Sequence, residues 1–522
     1  MPGNIILTGF FGSGKKTIGR ILAEKCGFSF LSTDLFMELE ERAILGDAFF
    51  PGEEILYHPC SLELAEKISP LSGTVIAWGS RAPFDEEYRK LFSKSDRIVY
   101  LHVDHDIFLD RVEHRLLPLE WDRQKLSDLY QELSESHVQA DHTCDTSMRE
   151  AGQAAEEIAS ALNLPRASEE TYSEDIKTDA SGKHVIQVGN KLSSFLSDRV
   201  KELAPRKVAI ISNPLVASLF FNKIAGLCGE TEIQAFCVPD GEEFKTLSTA
   251  ERIYGFLLTE GYSRSDLLIA LGGGVIGDLC GFVASTYKRG MPVIQIPTTL
   301  LAQVDSAIGG KTGINHSRGK NMIGTFYQPE MVISSTAFLQ CLPEREFRNG
   351  LAEVIKYAII RDHKLFSFLA DRKSDILARK PETLQQIVSC CSKIKTCIVS
   401  KDEREELGIR EVLNFGHTVG HMIETLTGYT RYRHGEAVAI GMAVEAQICR
   451  DKGFLKKKDC EKILTLISDY SLPVSIPEDI DSTRFKEMLT QDKKVRQDMI
   501  RLPVPEKIGR AEVKEVECGK FL

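Results

Sequence analysis

The chain has no apolar run of membrane-spanning length, no surplus of basic residues and no cysteines at metal-binding spacing. Each absence removes a class of function. A spanning helix needs about 20 consecutive apolar residues, and the opening Met1-Pro2-Gly3-Asn4 carries no basic leader and no small-residue cleavage site, so a cytoplasmic protein with no membrane partner is expected. A formal charge of −10 leaves no lysine- and arginine-rich field to displace counterions, which argues against nucleic acid as a partner. The 13 cysteines are odd in number, scattered and without a Cys-x-x-Cys pair. Neither a disulfide framework nor a thiolate zinc site fits, and reduced, buried thiols are expected. There is also no short-period repeat.

What is present is length. At 522 residues and 43% apolar content the chain exceeds what one core organises, so two or three domains are expected. Residues 4–9 read as a strand entering a glycine turn, followed by Ile18, Ile21 and Leu22 at helical spacing and Gly27 as a stop. With further strands at 74–77 and 97–101 this predicts a small α/β domain over residues 1–165. Residues 166–183 are nearly all Ser, Thr, Glu, Asp, Lys and Ala, and read as a linker too poor in apolar surface to offset the entropy of ordering it. Strands at 184–188, 207–212, 232–238 and 267–271 alternate with helical patterns, predicting a doubly wound parallel sheet over 184–335. From about Phe338 amphipathic stretches dominate and long strands are absent, so residues 336–522 are expected to be helical.

Chemistry concentrates in the second and third domains. Strand 267–271 runs into Gly272-Gly273-Gly274 and then Asp278, a strand, a glycine turn and a helix start, which outlines a dinucleotide site; a glycine triplet alone could equally be a tight turn. Arg289, Thr298, Thr299, Asp305, Lys311, Lys320 and Asn321 follow on glycine-rich sequence, suited to a phosphorylated carboxylate; the bland alternative is a solvated loop. His417 and His421 stand four apart, on one face if the segment is helical, with His434 downstream and Glu353 upstream. A His₂Glu metal site open to substrate oxygens is one reading, and satisfied core or capping histidines the other.

PDGEEFK, LGGGVIGD, STYKRG, IPTTLLAQVDSAIGGKTGINH, GKNMIGTFYQP, LAEVIKY, DERE, LNFGHTVGH, HGEAVA and QDKKV occur in the order and approximate spacing of 3-dehydroquinate synthases, which the chain resembles from about His184 to its end. The resemblance implies an NAD-binding α/β domain, a mostly helical metal-binding domain and a homodimer. It implies a carbon–oxygen lyase that converts 3-deoxy-D-arabino-heptulosonate 7-phosphate to 3-dehydroquinate and phosphate, in the shikimate pathway to chorismate and the aromatic amino acids. Carried over position by position, it makes Glu353, His417 and His434 ligands of zinc or cobalt, His421 the proton-transfer residue and Glu405 a second candidate for that role. Glu242, Lys245, Gly272, Gly273, Gly274, Asp278, Thr298 and Thr299 match NAD positions. Arg289, Asp305, Lys311, Asn321, Lys356, Lys395, Arg410 and Asn414 match substrate positions, Lys356 counting among the catalytic candidates. Lys320 falls between the two groups. The stretch from Glu405 to Arg410 is one residue longer than the family pattern.

Gly9-Phe10-Phe11-Gly12-Ser13-Gly14-Lys15 fits a phosphate-binding P-loop, and residues 1–164 resemble shikimate kinase. If the loop holds ATP and Mg²⁺, its contacts are Gly9, Gly12, Gly14, Lys15 and Thr17. The pattern requires Ser or Thr after the lysine as a magnesium ligand, and this chain has Lys16, an ammonium that cannot ligate a cation. Thr17 lies one residue on, turned about 100° around a helix. Asp34 remains but its acidic companion is Ser32; Tyr57 stands for the Arg of the shikimate site, Gly79-Ser80-Arg81 for a glycine triplet and Leu117 for a lid Arg. A kinase-like domain without kinase activity is expected, with a bifunctional enzyme as the alternative. The rival readings are a dead scaffold, a nucleotide-regulated binding protein, a cyclase of another sugar phosphate and a metal-dependent polyol dehydrogenase.

Overall fold

A computed structural model of the chain describes residues 3–49, 61–79, 86–113, 123–136, 140–167, 171, 173–177, 184–190, 193–480, 495–496 and 499–517. Tyr57, Ser80, Arg81, Leu117, most of the expected linker and residues 491–494 of QDKKV lie outside these. Contacts divide the chain into two units: residues 1–171, 193–271 and 340–344 in one, and 172–192, 272–339 and 345–522 in the other.

The first unit opens with a parallel sheet ordered Ser29–Ser32, Thr74–Ala77, Ile5–Thr8, Arg97–His102, His142–Asp145. Its central strands Ile5–Thr8 and Thr74–Ala77 are buried at every position because helices cover both faces. Ile5, Leu7, Val75 and Val99 pack under helices Lys15–Cys26 and Ala151–Ala161; Ile6, Ile76 and Ile98 pack on the other side with Phe36, Leu64 and Ile68. Successive residues point to opposite faces, so one apolar run serves two cores. The same unit holds parallel strands Lys207–Ser212, Glu232–Cys237 and Leu267–Gly272. The short strand Ala48–Phe49 adds antiparallel to Glu232–Cys237, pairing Phe49 with Ala235.

In the second unit Met331–Ser335 lies between Val293–Pro297 and Val185–Gly189, all parallel. Ser173–Lys177 then pairs antiparallel with Val185–Gly189. That strand falls inside the stretch expected to be an unstructured linker. A strand needs only one apolar face, which the single buried Ile176 supplies, and the ladder itself satisfies the polar backbone. Helices Glu344–Arg361, Pro381–Val399, His417–Leu426, His434–Asp451 and Lys457–Asp469 form the helical region. The region is mostly helical, as expected, but long strands are not absent from it: Met499–Lys507 and Arg510–Glu517 form a hairpin, with Leu502, Val504, Ala511 and Val516 buried. Pro503 and Pro505 within it are what disguised the strand pattern. Among the described residues no helix is long and apolar enough to cross a membrane, and the 11 described cysteines are free thiols.

Candidate functional site

The site in the second unit is built where two helices cross unusually closely. Gly416 takes φ 79° to turn the chain into helix His417–Leu426, and a Cβ on Gly441 would lie 1.9 Å from the Gly416 carbonyl oxygen. Only glycine lets the backbones of His417–Leu426 and His434–Asp451 approach so far. At the start of the second helix Gly435 donates its N–H to Asn349 Oδ1 at 2.6 Å, tying it to helix Glu344–Arg361.

Three helices therefore present three side chains to one point. Ligand atoms of Glu353, His417 and His434 all lie within 4.8 Å of one another. His417 Nε2 is 3.6 Å and His434 Nε2 3.8 Å from Glu353 Oε1. Their Nδ1 atoms face outward, His417 toward the Phe415 carbonyl at 3.2 Å and His434 toward Glu424 Oε2 at 3.5 Å. Outer acceptors that fix the tautomer and leave Nε2 free are what a metal-binding imidazole needs. Glu353 is fully buried and neither carboxylate oxygen finds a hydrogen-bond donor, although Lys356 forms an ion pair with it. Burial, aided by the Lys356 ammonium and the neighbouring imidazoles, holds His417 well below its usual range, so the ring stays neutral. Burial acts the same way on His434, but the hydrogen bond and charge of Glu424, with Glu353, outweigh it and raise its pKa. The surroundings thus favour a cation here. One carboxylate and two imidazole nitrogens suit zinc or cobalt.

Beside this cluster lies a second charged group. Lys395 donates to both the carbonyl and Oδ1 of Asp305 at 2.6 Å, and the Tyr357 hydroxyl reaches the same carboxylate oxygen at 2.6 Å. Burial would raise Asp305, but Lys395 and Lys356 hold it well below the usual carboxylate range. Arg410 is buried, donating to the Glu403 carbonyl at 2.7 Å. Its loop is organised by Asp402, whose carboxylate accepts the N–H groups of Leu407, Ile409 and Arg410 at 3.0, 2.8 and 3.2 Å. Glu405 is paired with Lys311 and lies 3.6 Å from Arg410 Nε. Asn414 closes the 3-10 turn Arg410–Asn414 just before Gly416.

The remaining candidates fall less tightly. His421 is exposed, its ring 5.4 Å from that of His417 and 5.9 Å from that of His434. Lys320 lies over the Tyr429 ring at 4.0 Å and 3.5 Å from Glu424, and Asn321 and Arg289 are exposed with φ of 55° and 66°. Gly272, Gly273 and Gly274 lead into helix Gly274–Thr286, which carries Asp278, and Thr298 donates its N–H to the Gly272 carbonyl at 3.0 Å. Thr298 Oγ1 and Ser306 Oγ are buried without partners, and Thr299 and Ser306 flank the glycines. Unsatisfied hydroxyls at a side-chain-free helix start fit a pyrophosphate-bearing cofactor. Glu242 and Lys245 belong to the first unit, where Glu242 opens the 3-10 turn Glu242–Phe244 and Lys245 is buried. Sequence reasoning passed over Glu424, Asn349, Tyr357 and Asp402. Glu424 was the most readable, three residues after His421 and on the same helical face.

In the first unit Lys15 Nζ donates to the Gly9 and Phe10 carbonyls at 2.5 and 2.7 Å. Lys16 Nζ lies 2.9 Å from Asp34 Oδ2, and Thr17 is exposed.

Comparison with known proteins identifies the family. The family models for the N-terminal and C-terminal parts of 3-dehydroquinate synthase match residues 235–349 and 350–495, and that for shikimate kinase matches residues 11–163. A 3-dehydroquinate synthase of Thermodesulfovibrio yellowstonii is 48% identical over 332 residues, 63% of this chain and 92% of the relative. Among solved structures, 2-epi-5-epi-valiolone synthase of Streptomyces hygroscopicus with NAD⁺ and Zn²⁺ bound is 25% identical at TM-score 0.59, covering 65% of this chain and 95% of that one. A 2-deoxy-scyllo-inosose synthase complexed with carbaglucose-6-phosphate, NAD⁺ and Co²⁺ is 25% identical at TM-score 0.60, covering 67% and 98%. Near-complete coverage of a relative at that identity shows that the chain belongs to the 3-dehydroquinate synthase family, with a shikimate kinase-like region preceding it.

Proposed function

We propose that this chain converts 3-deoxy-D-arabino-heptulosonate 7-phosphate to 3-dehydroquinate and phosphate. The reading is carried by one observation: Glu353, His417 and His434 converge within 4.8 Å next to the buried cations Lys356, Lys395 and Arg410. When bound, NAD supplies transient oxidation of a sugar hydroxyl and the metal polarises that oxygen, which makes the neighbouring C–H acidic enough for phosphate to leave. The cations bind and orient the substrate's carboxylate and phosphate, and Asp305 holds Lys395 in place between turnovers. His421, exposed beside the buried His417 and the half-buried His434, is placed to move the proton, with Glu405 the second candidate. By the family resemblance Glu242, Lys245, the glycine turn, Asp278, Thr298 and Thr299 are assigned to NAD, and Arg289, Lys311, Lys320, Asn321 and Asn414 to the substrate. We assign residues 1–165 to the kinase-like domain, 184–335 to the NAD-binding domain and 336–522 to the metal-binding domain, in a cytoplasmic homodimer.

Purified protein given the heptulosonate phosphate, catalytic NAD and zinc should release phosphate and 3-dehydroquinate without net NADH. Turnover of a different sugar phosphate in its place, or stoichiometric NADH, would reassign it. The kinase-like region is read as inactive because an ammonium stands where the magnesium-ligating hydroxyl is required and is paired with Asp34. ATP- and shikimate-dependent ADP release that vanishes in Lys15→Ala would overturn this.

A further inference from the structure

The N-terminal glycine loop carries a charge arrangement that the cyclase chemistry leaves unused. Gly9, Gly12 and Gly14 adopt φ of 134°, 89° and 90°, leading strand Ile5–Thr8 into helix Lys15–Cys26. The loop is braced from inside by Lys15 on the Gly9 and Phe10 carbonyls and by Arg111, which donates to the Gly12, Thr146 and Ser147 carbonyls at 3.3, 2.7 and 2.9 Å. Phe10 and Phe11 anchor it against Phe108, with ring centroids 5.0 and 5.4 Å away. Ser13 within the loop is fully buried with its Oγ unpartnered, and Asp34, 5% exposed, leaves Oδ1 unpartnered. Buried polar atoms without partners are uncommon and point to a ligand that supplies them.

Magnesium does not fit this loop. The side chain that should offer it an oxygen is the Lys16 ammonium, whose Nζ already lies 2.9 Å from Asp34 Oδ2. We infer that Lys16 is a tethered replacement for the divalent cation, so that the loop binds the polyphosphate of a nucleoside triphosphate without metal. Lys15, Lys16 and Arg111 bring three cations to the loop against the carboxylate of Asp34, which pairs with Lys16, leaving positive charge for phosphate oxygens to neutralise, while backbone N–H groups at the start of helix Lys15–Cys26 add donors. The same substitution removes the ion that would bridge and neutralise the transferring phosphates. Binding is thereby separated from transfer.

The test is equilibrium dialysis of ATP against the full-length protein, in EDTA and in excess magnesium. Wild-type protein should hold ATP within about twofold equally in both, Lys16→Arg should do the same, and Lys16→Thr should bind about tenfold more weakly in EDTA and recover with magnesium. Unchanged thermal unfolding of Lys16→Thr guards against misfolding. Wild-type binding that requires magnesium, no ATP binding in either condition, or metal-free binding untouched by Lys16→Thr would each overturn the inference. Cyclase turnover, measured in parallel, stands or falls independently.

Discussion

Single atoms decide the proposed metal site. Two imidazoles offer Nε2 to the fully buried Glu353 carboxylate, which already pairs with the Lys356 ammonium, so the donor set of one carboxylate and two imidazole nitrogens is what a divalent cation would take up. Glu353→Ala or His417→Ala should therefore lose bound metal and turnover together, because ordering the ligands and holding the ion are coupled. Metal content measured on the purified variants checks this, and a variant that kept both would refute the assignment. Glu424, which touches His434 Nδ1, sits one shell further out. Glu424→Gln should weaken metal affinity by about 10–100-fold while retaining activity at saturating metal, as read by metal titration of turnover. Glu424 is held down at a pKa of about 2, burial being outweighed by His434 and Lys320.

Helices and loops bring those atoms together. The crossing of His417–Leu426 with His434–Asp451 leaves no room for a methyl group at Gly441, whose Cβ would meet the Gly416 carbonyl at 1.9 Å. Gly441→Ala should push the helices apart, costing about 1–3 kcal/mol of stability and loosening the metal site; denaturant unfolding with metal titration measures both. The loop bearing Arg410 depends instead on Asp402. Burial would raise the Asp402 pKa, but the N–H groups of Leu407, Arg410, Ile409 and Glu406 outweigh it and lower it. A depressed folded pKa means that its stabilisation is complete above the unfolded value of about 3.9 and is lost as pH falls through the lower folded value. Asp402→Asn should raise the substrate KM at neutral pH and remove that part of the acid sensitivity below about pH 4. An Asp402→Asn KM equal to that of the wild type at neutral pH would show that the loop holds itself.

At the scale of the whole molecule, the kinase-like region shares a unit with residues 193–271. Ala48–Phe49 extends the Glu232–Cys237 strand, Phe49 packs on Phe221 at 5.4 Å, and Arg252 donates to the Ala43 and Ile44 carbonyls at 2.5 and 3.2 Å. An added strand covers an edge that would otherwise offer unpaired N–H and C=O groups to other chains. Phe49→Ala should cost about 3 kcal/mol through the cavity it leaves and speed amide exchange along Glu232–Cys237. Exchange that stays slow there would mean the added strand is not needed to protect that edge.

Local order was legible in the chain itself. Apolar runs at Ile5–Thr8 and Lys207–Ser212, the glycine turn at 272–274 and the four-residue spacing of His417 and His421 each follow from rules acting within a few residues. The motifs around Glu353 and His434 named the other proposed ligands by resemblance. What no local rule carries is which distant side chain satisfies a buried polar group: Glu424 behind His434, Asn349 under Gly435, Asp402 beneath the Arg410 loop and Lys16 on Asp34. The strands at 173–177 and 499–517 escaped for the same reason, since their register depends on a partner ladder. Sequence spacing sets which residues share a face, whereas burial and hydrogen bonding across the fold set which charges must be paired, and that pairing was decided only by the tertiary structure.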